Sequence, residues 1–185
     1  GMRTSETRHL PGETGLWVFI FMDLALFALF FVLSGIDRVH NPQVFHEGRQ
    51  GLLVGVGLIN TLVLLTGSWA VAMGTRVVPR GRFAAPWIYG AAFSGLVFLA
   101  LKTVEYVHAA QAGYAVSADV FRTWYFFLTA YHGFHVAAGM LLLTVVANHM
   151  RRETAADERL IEAAGCYWHL VDLLWIGIFA VIYLL

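Results

Sequence analysis

Seven ionisable side chains interrupt stretches that are otherwise apolar: Asp23, Lys102, Glu105, His132, His135, His169 and Asp172. An eighth, Glu162, stands just before the last stretch. Their spacing is helical. His132 and His135 are three residues apart, and Tyr125 and Gly139 each lie seven from His132, so one stripe carries Tyr125, His132, His135 and Gly139. Glu162, His169 and Asp172 recur at i, i+7 and i+10, beside an aromatic stripe of Trp168 and Trp175. Lys102 and Glu105 are three apart and can pair within one helix. Ionisable groups in hydrocarbon are costly and face a bundle interior. Three chemistries follow. The first is structural: the groups satisfy one another and fix the registry of the helices. The second is proton buffering, or contact with lipid headgroups. The third is haem ligation by pairs among His132, His135, His149 and His169, but no Cys/His/Glu spacing typical of a metal site accompanies them. The Phe27, Phe30, Phe31 run reads as lipid-facing or packing surface rather than a cofactor box.

Positioning such groups requires a particular kind of element. Hydrophobic residues make up 59% of the 185 and charged residues 13%, against about 45–50% and about 25% in an average soluble domain. Net charge is zero, which leaves no electrostatic footprint for nucleic acid. The single cysteine, Cys166, excludes an internal disulfide. A helix crossing about 30 Å of hydrocarbon needs about 20 apolar residues. Five stretches meet that length: about 15–35, 51–74, 84–109, 123–147 and 166–185. The first lacks a small-residue cleavage pattern and is expected to be retained. The expected fold is an all-α integral membrane bundle of five transmembrane helices in a single domain, 1–185. Asn41-Pro42 falls in the first loop, Pro79, Gly81 and Pro86 frame the second, and Asp119 or Ser117 can cap the fourth helix. The polar stretch from Met150 to Gly165 reads as a solvated helical extension or hairpin.

Arginine bias sets the expected orientation. Arg3, Arg8, Arg76, Arg80, Arg82, Arg151, Arg152 and Arg159 fall on one side, and Arg38, Arg49 and Arg122 on the other. Eight against three puts the N-terminus in the cytoplasm and, after five crossings, the C-terminus outside. Trp17, Trp87 and Trp124 lie near span ends, as interfacial anchors do. Depth, at 1.5 Å per residue, places Glu105 about 12 Å outward of its helix centre. It sorts the ionisable groups into an outer cluster of Lys102, Glu105 and His132 and an inner one of Asp23, His169 and Asp172.

These residues resemble a known family. Phe126-Phe127 with Tyr131-His132-Gly133-Phe134-His135-Val136-Ala137-Ala138-Gly139 resembles the fourth-helix signature of subunit III of haem-copper terminal oxidases. The run from Glu162 to Trp175 is similar to that family's closing motif. Glu105-Tyr106 and Asn60-Thr61 resemble two of its residue pairs, and Asp23 stands where the family has a buried carboxylate, usually Glu. The five spans resemble the bacterial short form. The long form's first two helices, which wall a lipid-filled cleft, have no counterpart here, and phospholipid remains a candidate ligand. The opening from Gly12 to Phe21 most resembles the NorE-type branch associated with nitric oxide reductases. The resemblance implies a non-catalytic accessory subunit that binds no haem or metal and supports proton uptake, with Asp23 the carboxylate concerned. Its partner would be the catalytic subunit of a haem-copper oxidase or nitric oxide reductase, which would hold the haem and the copper or iron. The expected location is the bacterial cytoplasmic membrane, with aerobic electron transport or denitrification as the process. A self-sufficient membrane b-type haem protein is the alternative. A small transporter is a weaker one, because repeat halves and a Gly/Pro-broken helix pair are missing.

Overall fold

The computed structural model describes residues 14–76, 83–113, 119–152 and 158–185. Within these the chain is helical, with no strand: α1 Thr14–His40, α2 Pro42–Gln50, α3 Val54–Arg76, α4 Ala85–Gln111, α5 Val120–Arg152 and α6 Glu158–Phe179. The last helix runs on as a π turn, Ala180–Leu184. All but α2 are long and apolar enough to span a membrane. The outward faces confirm the solvent: Val18, Phe21, Phe93, Phe134 and Leu141 are all more than half exposed, a surface suited to lipid and not to water. Threonine hydroxyls, which hydrocarbon would leave unpaired, bond back to their own helices. Thr61, Thr66, Thr103, Thr129 and Thr144 each donate to the carbonyl four residues earlier.

Helices α3, α4, α5 and α6 form a closed ring in which each packs on two others, and α1 lies outside it against α5 and α6. Small residues allow the close approach. A Cβ on Gly139 of α5 would stand 3.0 Å from the Trp168 ring of α6, and one on Gly95 of α4 would stand 2.8 Å from it. Gly133, the other glycine of the fourth-span motif, makes only ordinary contact with Leu99.

The sequence reading differs from the structure in three places. The first loop contains a helix, α2, started by Pro42 at its first turn, where a missing N–H costs nothing. Its apolar side rests on α5: Phe45 meets Phe121 edge-on at 5.4 Å, and Gly48 leaves room for the same ring. The transmembrane helices also outrun the apolar stretches, α1 to His40 and α5 from Val120 to Arg152, because polar ends continue the helix beyond the hydrocarbon. Asp119 caps α5 as expected, its Oδ1 accepting from Arg122 N at 2.8 Å. Lastly, α6 starts at Glu158, within the stretch read as extension or hairpin. Arg3, Arg8, Arg80, Arg82, Ser117 and the stretch 153–157 lie outside the described residues.

Candidate functional site

The best-built polar centre sits between α4, α5 and the end of α6. Lys102 and Glu105 pair within α4 at 2.8 Å, both almost fully buried. The ammonium has three donors and uses all of them: Glu105 Oε2, Tyr183 OH at 2.8 Å and Tyr125 OH at 3.4 Å. Tyr183 in turn donates to Glu105 Oε1 at 2.7 Å. Four rings surround the cation, with centroids 4.9 Å (Tyr125), 5.3 Å (Trp175), 5.5 Å (Tyr106) and 5.5 Å (Tyr183) from Nζ. Ring quadrupoles and one carboxylate replace the water that the ammonium gave up.

The π turn is what delivers Tyr183. An α-helix advances about 100° per residue, so eight residues would leave Tyr183 about 80° round from Trp175. The wider i→i+5 turn, seen in the bond from Leu185 N to Ala180 O, advances less per residue and returns Tyr183 to the Trp175 side. The two rings lie 6.3 Å apart. Sequence spacing therefore missed Tyr183, and only the aromatic character of the last residues hinted at it.

The outer cluster expected from depth is partly present. Lys102 and Glu105 meet, but His132 belongs to a separate contact. It is fully buried and turns Nε2 to the carbonyl of Val171 on α6 at 2.9 Å. Its ring packs edge-on with Phe98 and tilted against Trp175, and Trp175 also faces Lys102. Trp175 is held by Thr61, whose Oγ1 accepts from its Nε1 at 3.0 Å, which gives the Asn60-Thr61 pair a structural role. Asn60 is fully buried, with neither side-chain polar atom hydrogen-bonded.

The inner cluster is not formed as expected. Asp23 meets His135 on α5, its Oδ1 3.1 Å from Nε2, and reaches neither His169 nor Asp172. Depth alone misassigned this pair because α1 packs into the α5–α6 groove with the Asp23 side turned to α5. His135 Nδ1 donates to the Tyr131 carbonyl at 2.8 Å, so the Asp23 bond requires one proton shared between Oδ1 and Nε2. Phe27, fully buried, stacks edge-on over His135, and Phe30 meets Phe127 edge-on at 4.9 Å. The Phe27–Phe31 run is thus packing surface. Below it, Trp124 Nε1 donates to Asp37 Oδ2 at 2.7 Å, a second polar link between α1 and α5.

On α6, His169 faces Ser68 of α3, Nδ1 to Oγ 2.6 Å. Asp172 is buried, and neither carboxylate oxygen has a hydrogen-bond partner. Of the expected inner cluster, His169 thus bonds Ser68 and not Asp172, and the Ser68 side chain lies beside the Asp172 carboxylate as well. Glu162 and His169 are exposed, while Asp172 turns inward. Among the described residues no group of three or more His, Cys, Asp or Glu side chains is arranged to hold a metal ion.

A family model described as cytochrome c oxidase subunit III matches residues 13–185. The cytochrome c oxidase subunit 3 of Thermostichus vulcanus is 32% identical over 180 residues, covering 92% of this chain and 86% of the relative. The cytochrome bo(3) ubiquinol oxidase subunit 3 of Pseudomonas aeruginosa is 27% identical over 175 residues, covering 92% of this chain and 83% of the relative. A heme-copper oxidase subunit I+III of Aeropyrum pernix is 28% identical over 184 residues, 93% of this chain and 22% of that longer protein.

Proposed function

The chain belongs to the cytochrome c oxidase subunit III family, and from that membership we propose that it is a non-catalytic accessory subunit, packed in the membrane beside the catalytic subunit of a haem-copper oxidase. The observation that carries this reading is that its central ionisable groups are engaged within the chain. Lys102 and Glu105 are saturated by each other and by Tyr183 and Tyr125. His132 engages a backbone carbonyl, and His135 engages Tyr131 and Asp23. On this reading the chain steadies the partner and leaves haem and copper to it. The Asp23–His135 pair, with its shared proton, is the element suited to supporting proton uptake by the partner.

Within the family the Gly12–Phe21 opening and the five spans favour the short NorE-type branch, which makes a nitric oxide reductase the alternative partner. The location is then the bacterial cytoplasmic membrane, with phospholipid at the apolar flanks. Two measurements test these statements. The chain purified alone should lack a Soret band, and tagged chain recovered from native membranes should bring one with it through its partner; stoichiometric iron or copper in the isolated chain would defeat the accessory reading. Orientation is tested with reporter fusions. Fusions after Gly48 and Gly113 should report from outside and those after Thr75 and Arg152 from inside. An outside signal after Arg152 would reverse the orientation.

A further inference from the structure

Charge inside a bilayer is costly, so a structural ion pair is expected to be walled off from water. Glu105 is not fully walled off. Only 3% of it is exposed, yet it lines a cavity of about 20 Å³ that opens at the end of the bundle carrying α2. A water needs about 10–15 Å³ of such space, so the cavity holds one. A hydrated cation or an organic ligand does not fit.

Small residues leave this gap. Ala109 follows Glu105 by one turn of α4, and Gly51 ends α2, so the α2–α3 link passes over α4 without filling the space. The far side of α2 is pinned by Phe45 and Gly48 against Phe121 of α5. The remaining polar walls are His108, Arg122 and Tyr125. His108 is exposed and stands three residues from Glu105 on the same helix. Arg122 is paired with Asp119. The Tyr125 hydroxyl already reaches Lys102. From the end of α6 the carboxylate meets Tyr183, and from its own helix Lys102. Among the described residues, α2 and the link add no titratable side chain to the cavity. Each oxygen of Glu105 accepts one bond, from Lys102 or from Tyr183, and a carboxylate oxygen has two lone pairs. The carboxylate therefore retains capacity for a water and for a proton.

We propose that Glu105 is a proton-binding site served from the α2 end of the bundle, with one water in the cavity and the His108 imidazole as its relay. The transfer balances. The imidazolium gives its proton to the cavity water, which passes one to a carboxylate oxygen of Glu105. The carboxylate becomes a carboxylic acid, and the neutral imidazole takes a new proton from the water at that end. Lys102 stays an ammonium inside its four rings, so the centre rises by one positive charge for each proton bound. Histidine suits the relay because its charge changes between about pH 5 and 8. This site is distinct from the Asp23–His135 pair, which joins α1 to α5. It requires no partner subunit, so it stands or falls independently of the accessory reading.

Infrared difference spectroscopy of the full chain in lipid nanodiscs, acid against neutral, tests the proposal. A carboxylic-acid band should grow on acidification and shift in D2O. It should be missing in Glu105→Gln and remain in Asp23→Asn and Asp172→Asn. After a light-triggered drop in pH the band should rise about tenfold more slowly in Ala109→Leu, which fills the cavity, and in His108→Leu, which removes the relay, with the final amplitude kept in both. Melting temperatures in the same nanodiscs identify the folded variants, and if Glu105→Gln does not fold, the Ala109→Leu kinetics decide. A band that persists in folded Glu105→Gln belongs to another carboxyl and overturns the proposal. A rise at the parent rate in Ala109→Leu overturns it too, because the proton then arrives by another way. If no band grows on acidification, the Lys102–Glu105 pair is a sealed structural pair and the site does not exist.

Discussion

Lys102→Met is expected to destabilise the bundle by about 3–5 kcal/mol, the cost of leaving one member of a buried ion pair alone. The reason lies in what the ammonium holds together. It bonds Glu105, Tyr183 and Tyr125 and sits inside four aromatic rings. Methionine fills most of the same space but leaves Glu105 as a carboxylate, 3% exposed, with Tyr183 as its remaining donor. Replacing both charges removes that penalty, so Lys102→Met combined with Glu105→Gln should regain most of the loss. Glu105→Gln alone should cost less than Lys102→Met, because the rings still face the cation and the amide oxygen can still accept. Thermal melts of the four proteins in one detergent form a double-mutant cycle. A double variant no more stable than Lys102→Met would mean that the centre matters for packing and not for charge.

The parts of this site that were legible in the sequence lie within single helices. Lys102 and Glu105 are three residues apart, and the helix itself fixes their meeting. The Tyr125, His132, His135 and Gly139 stripe is buried along its whole length for the same reason. Links between helices were not legible. Asp23 was assigned by depth to His169 and Asp172, but depth is one coordinate, and the choice of partner is made by rotation of α1 about its axis, which no spacing within α1 records. Tyr183 escaped because an i→i+5 turn has no sequence signature, and without that turn the residue would point elsewhere. The helix α2 escaped because Asn41-Pro42 signals a break as readily as a start, and its amphipathic character rests on little more than Phe45 and Gly48. The five spans themselves were plain, because a bilayer permits few alternatives to long apolar helices.

Trp168→Ala is expected to be the most damaging truncation of an uncharged side chain, at about 3–5 kcal/mol. Trp168 is fully buried and lies where four helices converge. Gly67 of α3, Gly95 of α4 and Gly139 of α5 each turn the place of a missing Cβ toward it, at 3.4, 2.8 and 3.0 Å from its ring. The loss is not one of hydrophobic transfer, because lipid tails are as apolar as the core and supply no such drive between helices. It comes from the dispersion contacts of a large ring whose cradle cannot collapse when the walls are already backbone. The same reasoning separates shape from hydrogen bonding. Trp168 Nε1 has no hydrogen-bond partner, so Trp168→Phe removes volume but no bond and should cost about 1–2 kcal/mol less than Trp168→Ala. A bulky residue at the cradle should act like the loss of the ring, since Gly139→Leu would force Trp168 out of its place at a cost of about 1–3 kcal/mol. Melting temperatures of the purified chain in one detergent rank the three. If Trp168→Ala melts with the parent, the glycines of α3, α4 and α5 meet for some reason other than this ring.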